Sequence, residues 1–182
     1  MIRAFLAIDL PDAVRHRLSL LQYLLPLPNP VEEEALHLTL SFLGEQPDPV
    51  LESVHEALTA LHLPQFTLTI KGVGLFGGAK PRLAYAAVQP DQGLLYLQTK
   101  VETAARRAGV PIASQRYVPH ITLGRFKAMP TEAVMELERA LVEHAAFHCD
   151  PFPVTRFSLF SSHSGPKGGW YENLADYPLS PG

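Results

Sequence analysis

The sequence carries an internal repeat, and its period limits the possible fold more than any other feature. Displaced by 83 residues without a gap, His37 falls on His120, Thr39 on Thr122, Leu40 on Leu123 and Pro47 on Pro130. The positions beyond keep phase, with Leu51 on Val134, Val54 on Leu137, Ala57 on Ala140 and Leu58 on Leu141. A displacement of 86 then lays Phe66-Thr67-Leu68-Thr69 on Phe152-Pro153-Val154-Thr155. Two copies are too few to stack as a solenoid, so the repeat predicts a duplicated supersecondary unit whose halves are related by a pseudo-two-fold axis.

Hydrophobic periodicity fills in the unit. A buried strand over 2–9 precedes a helix over about 12–25, closed by prolines at 26, 28 and 30. A strand over 36–43 and a helix over about 50–62 follow, then a strand over 66–74, a Gly-rich loop and a strand over 83–88. The second half predicts helices over 93–108 and about 131–145, strands over 118–126 and 152–160, a loop over 161–169 and a last strand over 171–177. The expected class is α+β: a bilobal duplicated unit with two antiparallel sheets, helices outside and a cleft between the lobes. It forms a single domain over 1–182, its half-repeats, roughly 1–74 and 83–178, interleaved in space. A doubly wound parallel sheet would also alternate strands with helices. No Gly-rich phosphate turn follows the first strand, however, and 66–74 with 83–88 has the look of a hairpin.

Composition excludes several classes. With 47% hydrophobic and 18% charged residues over 182 positions, the chain is too apolar for disorder, and no apolar run approaches the roughly 20 residues of a membrane span. The apolar opening breaks at Asp9, too early for a signal-peptide core, and Cys149 is the only cysteine, so a cytoplasmic protein is expected; a monomer is expected as well. A net charge of −3 does not make the basic footprint of a protein that coats nucleic acid, so any RNA contact must be local.

The chemistry lies in the two HxT strands. Side chains alternate faces along a strand, so His37 and Thr39 project together while Leu38 and Leu40 enter the core, and His120 and Thr122 do the same opposite Ile121 and Leu123. The pseudo-two-fold brings the two polar pairs to one cleft. Imidazole titrates near pH 6.5, so one ring can serve as base while the other serves as acid. Phosphodiester hydrolysis needs both, and threonine hydroxyls suit the non-bridging oxygens that carry the charge. A single such histidine is ordinarily structural, and its threonine an expression of β propensity. Matching positions in a duplicated unit favour function instead. A metal site is the other functional reading, but HxT offers one good ligand per strand where zinc takes three or four.

HLTL followed by FLGE, HITLGR, and the opening AFLAIDLP together resemble the 2H phosphoesterase superfamily, and most closely its RNA 2′,3′-cyclic phosphodiesterases, formerly called 2′-5′ RNA ligases. The likeness runs from residue 3 to the closing YENLADYPL. It implies hydrolysis of a terminal 2′,3′-cyclic phosphate on RNA to a 2′-phosphate, with no metal or cofactor. It also implies that His37 donates a proton to the leaving 3′ oxygen, that His120 activates water, and that Thr39 and Thr122 hold the phosphate. Arg125 matches the family as a phosphate ligand, yet strict alternation puts it on the Leu123 face, and it reaches the cleft only if the strand ends or bulges. Its counterpart in the first half is Phe42. Phe42 and Phe76 are candidates to stack on the terminal base, although core packing is the stronger expectation for Phe42. The same groups would serve 2′-5′ RNA joining or a small cyclic nucleotide, and a non-catalytic RNA-end binding module is the alternative outside enzymes.

Overall fold

The computed structural model describes residues 1–166 and 168–182. Its chain order is β1 (Ile2–Asp9), α1 (Asp12–Leu24), β2 (His37–Gln46), α2 (Asp48–Thr59), β3 (Phe66–Leu68), β4 (Ile70–Phe76) and β5 (Leu83–Val88). There follow α3 (Gln92–Arg107), β6 (His120–Arg125), α4 (Thr131–Glu143), β7 (Phe152–Val154), β8 (Arg156–Gly165) and β9 (Gly168–Pro178). Three helices start just after a proline, Pro11, Pro47 or Pro130, whose fixed φ turns the chain into the first helical turn. The fourth, α3, is capped by Asp91, whose Oδ1 accepts the amides of Gly93 at 2.7 Å and Leu94 at 3.3 Å.

Two expectations are corrected. The predicted strands 66–74 and 152–160 each break, at Thr69 and Thr155, because their first three residues leave the main sheet and pair with each other as β3 and β7. The predicted loop over 161–169 is largely paired instead: β8 and β9 continue as a hairpin out to Gly165 opposite Gly168, where a φ of 112° at Gly168 suits only glycine. Lys167, at the turn, lies outside the described residues.

All strands run antiparallel, in a seven-stranded sheet of order β4-β5-β6-β2-β1-β8-β9 and a two-stranded sheet β3-β7. The register exposes the duplication. Leu38 pairs with Ile121, residues 83 apart, and Thr67 pairs with Pro153, 86 apart. Each residue therefore meets its own repeat-mate, so the pseudo-two-fold axis passes through both junctions. On either side of the axis the third strand is exchanged: β4 of the first half pairs with β5 of the second, and β8 of the second with β1 of the first.

Apolar stripes of all four helices, among them Leu18, Val54, Leu97 and Leu137, join one core with Leu38, Leu40, Ile121 and Leu123, each no more than 2% exposed. His37, Thr39, His120 and Thr122 are half-buried and alternate with them, facing away from that core. Among the described residues no helix is long and apolar enough to cross a membrane.

Candidate active site

Because Leu38 pairs with Ile121 in antiparallel register, the positions flanking that pair set His37 against Thr122 and Thr39 against His120. Each motif thus completes the other. Both imidazoles are anchored alike: Nδ1 of His37 lies 2.7 Å from the carbonyl of Ala35, and Nδ1 of His120 lies 2.7 Å from that of Val118. A carbonyl only accepts, so Nδ1 carries the hydrogen in each ring, and Nε2 is the nitrogen left for chemistry. In the neutral state of His37 the Thr39 hydroxyl donates to Nε2 at 3.0 Å. The backbone of Thr39 is itself pinned, its carbonyl accepting the Tyr117 hydroxyl at 2.9 Å, and burial pushes the Tyr117 phenol upward so that it remains a donor.

Arg125 reaches the cleft by the bulge it needed. Tyr85 pairs with Thr122 and Ala84 with Gly124, so Leu123 is an extra residue in β6. Leu123 and Gly124 are both buried and Arg125 returns to the His120 face. The first half repeats the device: Ala7 pairs with Thr39 and Leu6 with Ser41, leaving Leu40 extra, and Phe42 emerges on the His37 face. The expectation that Phe42 packs in the core is therefore wrong, for its ring is 62% exposed.

The carbonyls of the two extra residues are met by buried glutamines from opposite halves. Gln22 on α1 donates through Nε2 to Leu123 O at 2.7 Å and to Val31 O at 2.8 Å. Gln98 on α3 donates to Leu40 O at 3.4 Å and to Glu102 at 2.5 Å. Each glutamine is 8% exposed. The sequence analysis missed both, although Leu18-x-x-Leu21-Gln22 reappears as Leu94-x-x-Leu97-Gln98 at a displacement of 76.

Aromatic rings from exchanged strands flank the histidines. Phe76 of β4 meets His120 edge-on at 4.9 Å between centroids and stacks on Tyr85 at 4.2 Å. The Tyr85 ring lies over Gly74, where a Cβ would come within 2.5 Å of the phenol oxygen. His37 has Phe5 at 5.0 Å and Tyr171 of β9 edge-on at 5.2 Å. Neither ring was expected at the site: Tyr85 stands in no motif, and Tyr171 figured only as the first residue of the closing YENLADYPL.

Burial is the main force that lowers the pKa of both imidazoles, and Arg125 adds to the fall at each, which places its charge within reach of both rings. Their anchoring carbonyls act in the opposite direction. One asymmetry separates the pair. Asp9 stands opposite His37 in register and raises its pKa, with Arg15 countering weakly, whereas Ala87 holds the matching place opposite His120. Asp9 is held by Arg15, and Arg156 lies 3.8 Å away.

Beside a hollow of about 230 Å³ where His37, Phe5 and Tyr171 meet Asp9, Arg15 and Glu34, the cleft has two larger compartments, both lined by Phe42. One, of about 430 Å³, contains Thr39, Phe76, Tyr117, Arg116 and His120. The other, of about 460 Å³, contains His37, Arg125, Phe5 and Tyr171. Among the described residues no three His, Cys, Asp or Glu side chains converge as a metal site.

Known proteins resemble the chain in sequence and in fold. The family described as the 2′-5′ RNA ligase superfamily matches residues 10–166. The RNA 2′,3′-cyclic phosphodiesterase of Thermotoga maritima is 31% identical over 95% of this chain and 93% of its own length. The Escherichia coli protein of the same name is 29% identical over 88% of this chain and 86% of its own. A crystal structure of E. coli LigT complexed with 3′-AMP superimposes with a TM-score of 0.83 and 27% identity, covering 98% of both chains.

Proposed function

The chain belongs to the 2′-5′ RNA ligase superfamily, and on that premise we propose that it hydrolyses the 2′,3′-cyclic phosphate at an RNA end to a 2′-phosphomonoester. The observation that carries this reading is the pair of imidazoles, each with Nδ1–H tied to a carbonyl two residues back and Nε2 directed to a shared cleft. The His120 Nε2 takes a proton from water as the oxygen adds to phosphorus. The P–O3′ bond breaks on the opposite side, and the His37 Nε2–H passes its proton to the departing O3′. The ribose keeps its 2′-phosphate, and the two rings end with their protonation states exchanged. Each proton transfer contributes roughly 10²–10⁴ in rate.

Burial holds the pKa of His37 below that of a free imidazole, and Asp9 beside it, with nothing anionic at the matching place by His120, offsets part of that fall at His37 alone. The incoming phosphate adds a negative charge that favours protonation of His37. Once His37 is protonated, the Thr39 hydroxyl is free to turn toward a phosphate oxygen. Thr122 and the Arg125 guanidinium serve the others, where charge is greatest in the transition state. Because imidazoles perform both transfers, the reaction needs no metal. Phe42, which lines the His37 compartment as well as the other, offers a stacking surface to the terminal base, and Phe76 lies on the His120 side.

The test is to incubate the protein with a short RNA ending in a 2′,3′-cyclic phosphate and assign the product. A 2′-phosphate is expected. A 3′-phosphate would place the leaving oxygen and the acid differently, and an unconsumed cyclic phosphate would favour a binding module.

A further inference from the structure

Resting on that reading, the geometry assigns a place to the nucleoside. If His37 protonates O3′, the terminal ribose and the chain leading to its 5′ side lie in the His37 compartment, while water enters from the His120 side. The His37 compartment is lined by two guanidiniums, Arg3 and Arg125, while the carboxylates near His37, Asp9 and Glu34, line the adjoining hollow with Arg15. The His120 compartment holds one guanidinium, Arg116, and one carboxylate, Glu102, which is engaged by Arg106. Arg15, Arg106 and Arg156 are engaged by carboxylates, whereas Arg3, Arg125 and, in the other compartment, Arg116 have no ion pair among the described residues.

Two guanidiniums exceed what one cyclic phosphate monoanion requires, and Arg3, which stands opposite Glu45 across the β1–β2 ladder, forms no ion pair with it. Arg125, which acts on both histidines, belongs to the scissile group. Arg3 lies two residues along β1 from Phe5, whose ring touches His37, and this puts it about 7 Å farther along the strand. That is the scale of one nucleotide step. Opposite Arg3, the β8–β9 hairpin overhangs the sheet: β1 pairs with β8 only as far as Ala4 with Ser161, and the hairpin continues beyond. Ser162 and Ser164, alternate residues on one face of the overhang, line the same compartment.

We propose that Arg3, Ser162 and Ser164 form a subsite for the phosphodiester on the 5′ side of the terminal nucleotide, so that the substrate is an oligonucleotide end rather than a free cyclic mononucleotide. Arg3 supplies a charge-assisted contact and the serines supply hydroxyl donors to the non-bridging oxygens. Nothing in this subsite enters the proton transfers.

The experiment compares uridine 2′,3′-cyclic monophosphate with a diuridine bearing the same cyclic end, for the wild type and for Arg3→Gln. The wild type is expected to favour the dinucleotide by about tenfold in kcat/KM, the scale of one partly exposed charged hydrogen bond. Arg3→Gln should lose that advantage through KM, leave the mononucleotide within about twofold, and flatten the salt dependence on the dinucleotide by close to one phosphate contact. Ser162→Ala with Ser164→Ala should act in the same direction and less strongly. Equal losses on both substrates would move Arg3 to the scissile phosphate and overturn the subsite, as would no loss on either. Failure of the wild type to consume either substrate overturns the phosphodiesterase reading itself, whereas failure of the subsite alone leaves mononucleotide hydrolysis intact.

Discussion

Replacing Gln22 with leucine tests whether the glutamines build the site from a distance. Its side-chain amide donates to Leu123 O at 2.7 Å and Val31 O at 2.8 Å, inside a core where it is 8% exposed. Leucine fills nearly the same volume, so lost packing contributes little. What disappears is two hydrogen bonds, and Val31 O is left without this donor, while Leu123 O keeps the Val31 amide at 2.9 Å. One buried acceptor without its donor costs about 1–3 kcal/mol. At this chain length 1 kcal/mol lowers Tm by roughly 2–4 °C, so a loss near 2 kcal/mol corresponds to about 4–8 °C. The activity effect follows from the bulge. Leu123 is the extra residue that turns Arg125 toward the histidines, and a relaxed bulge lets the guanidinium drift. KM for a cyclic-phosphate RNA should rise several-fold while Phe42, in the other half, stays in place. Gln98→Leu should have the reciprocal effect through Leu40 and Phe42. Thermal melts and initial-rate kinetics on purified variants check both. A Gln22→Leu protein that melts within about 1 °C of the parent with unchanged KM would refute the reasoning.

The remaining predictions concern charge and anchoring. Both imidazole pKa values are lowered by folding, so the native state binds fewer protons than the unfolded chain near and below pH 6.5; stability from these groups is present above that pH and declines as the pH falls through it. Melting curves at pH 7.5 and 5.5 should show that loss, unless other groups mask it, which the double His37→Ala/His120→Ala protein exposes by a smaller change. The bell of kcat/KM, which reports the free enzyme, should centre on the acid side of an ordinary histidine. Arg125→Gln removes a charge that depresses both rings, so it should move that bell toward higher pH while lowering kcat/KM; a bell that stays in place contradicts the placement of Arg125. Tyr117→Phe, which deletes the hydrogen bond to Thr39 O, should lower Tm by about 2–4 °C, a loss near 1 kcal/mol. Treatment with EDTA should leave the rate unchanged, and a loss restored by added metal would contradict a metal-free reaction.

Much of this architecture was legible because the repeat holds a constant displacement across β2, α2 and their counterparts β6 and α4, where helix and turn lengths agree between the halves. It is illegible where lengths differ. The glutamines are displaced by 76, α3 being longer than α1, so a search at 83 passes over them. The breaks at Thr69 and Thr155 are tertiary choices: β3 and β7 find each other across the axis, which no local propensity encodes. Phe42 looked like core because apolar alternation has no means of counting an extra residue at Leu40. The same miscount assigned Arg125 to the wrong face unless a bulge intervened, and in β6 it does. Tyr171 reaches His37 only because the β8–β9 hairpin continues through a stretch whose glycines and serines read as loop.

The most direct measurement of the two-histidine account is the turnover of a cyclic-phosphate RNA by His37→Ala and His120→Ala, each first shown by its melting transition to be folded. The account predicts that either substitution alone lowers kcat by about 10²–10⁴, with the residual product still a 2′-phosphate. A near-wild-type rate in either variant would contradict it.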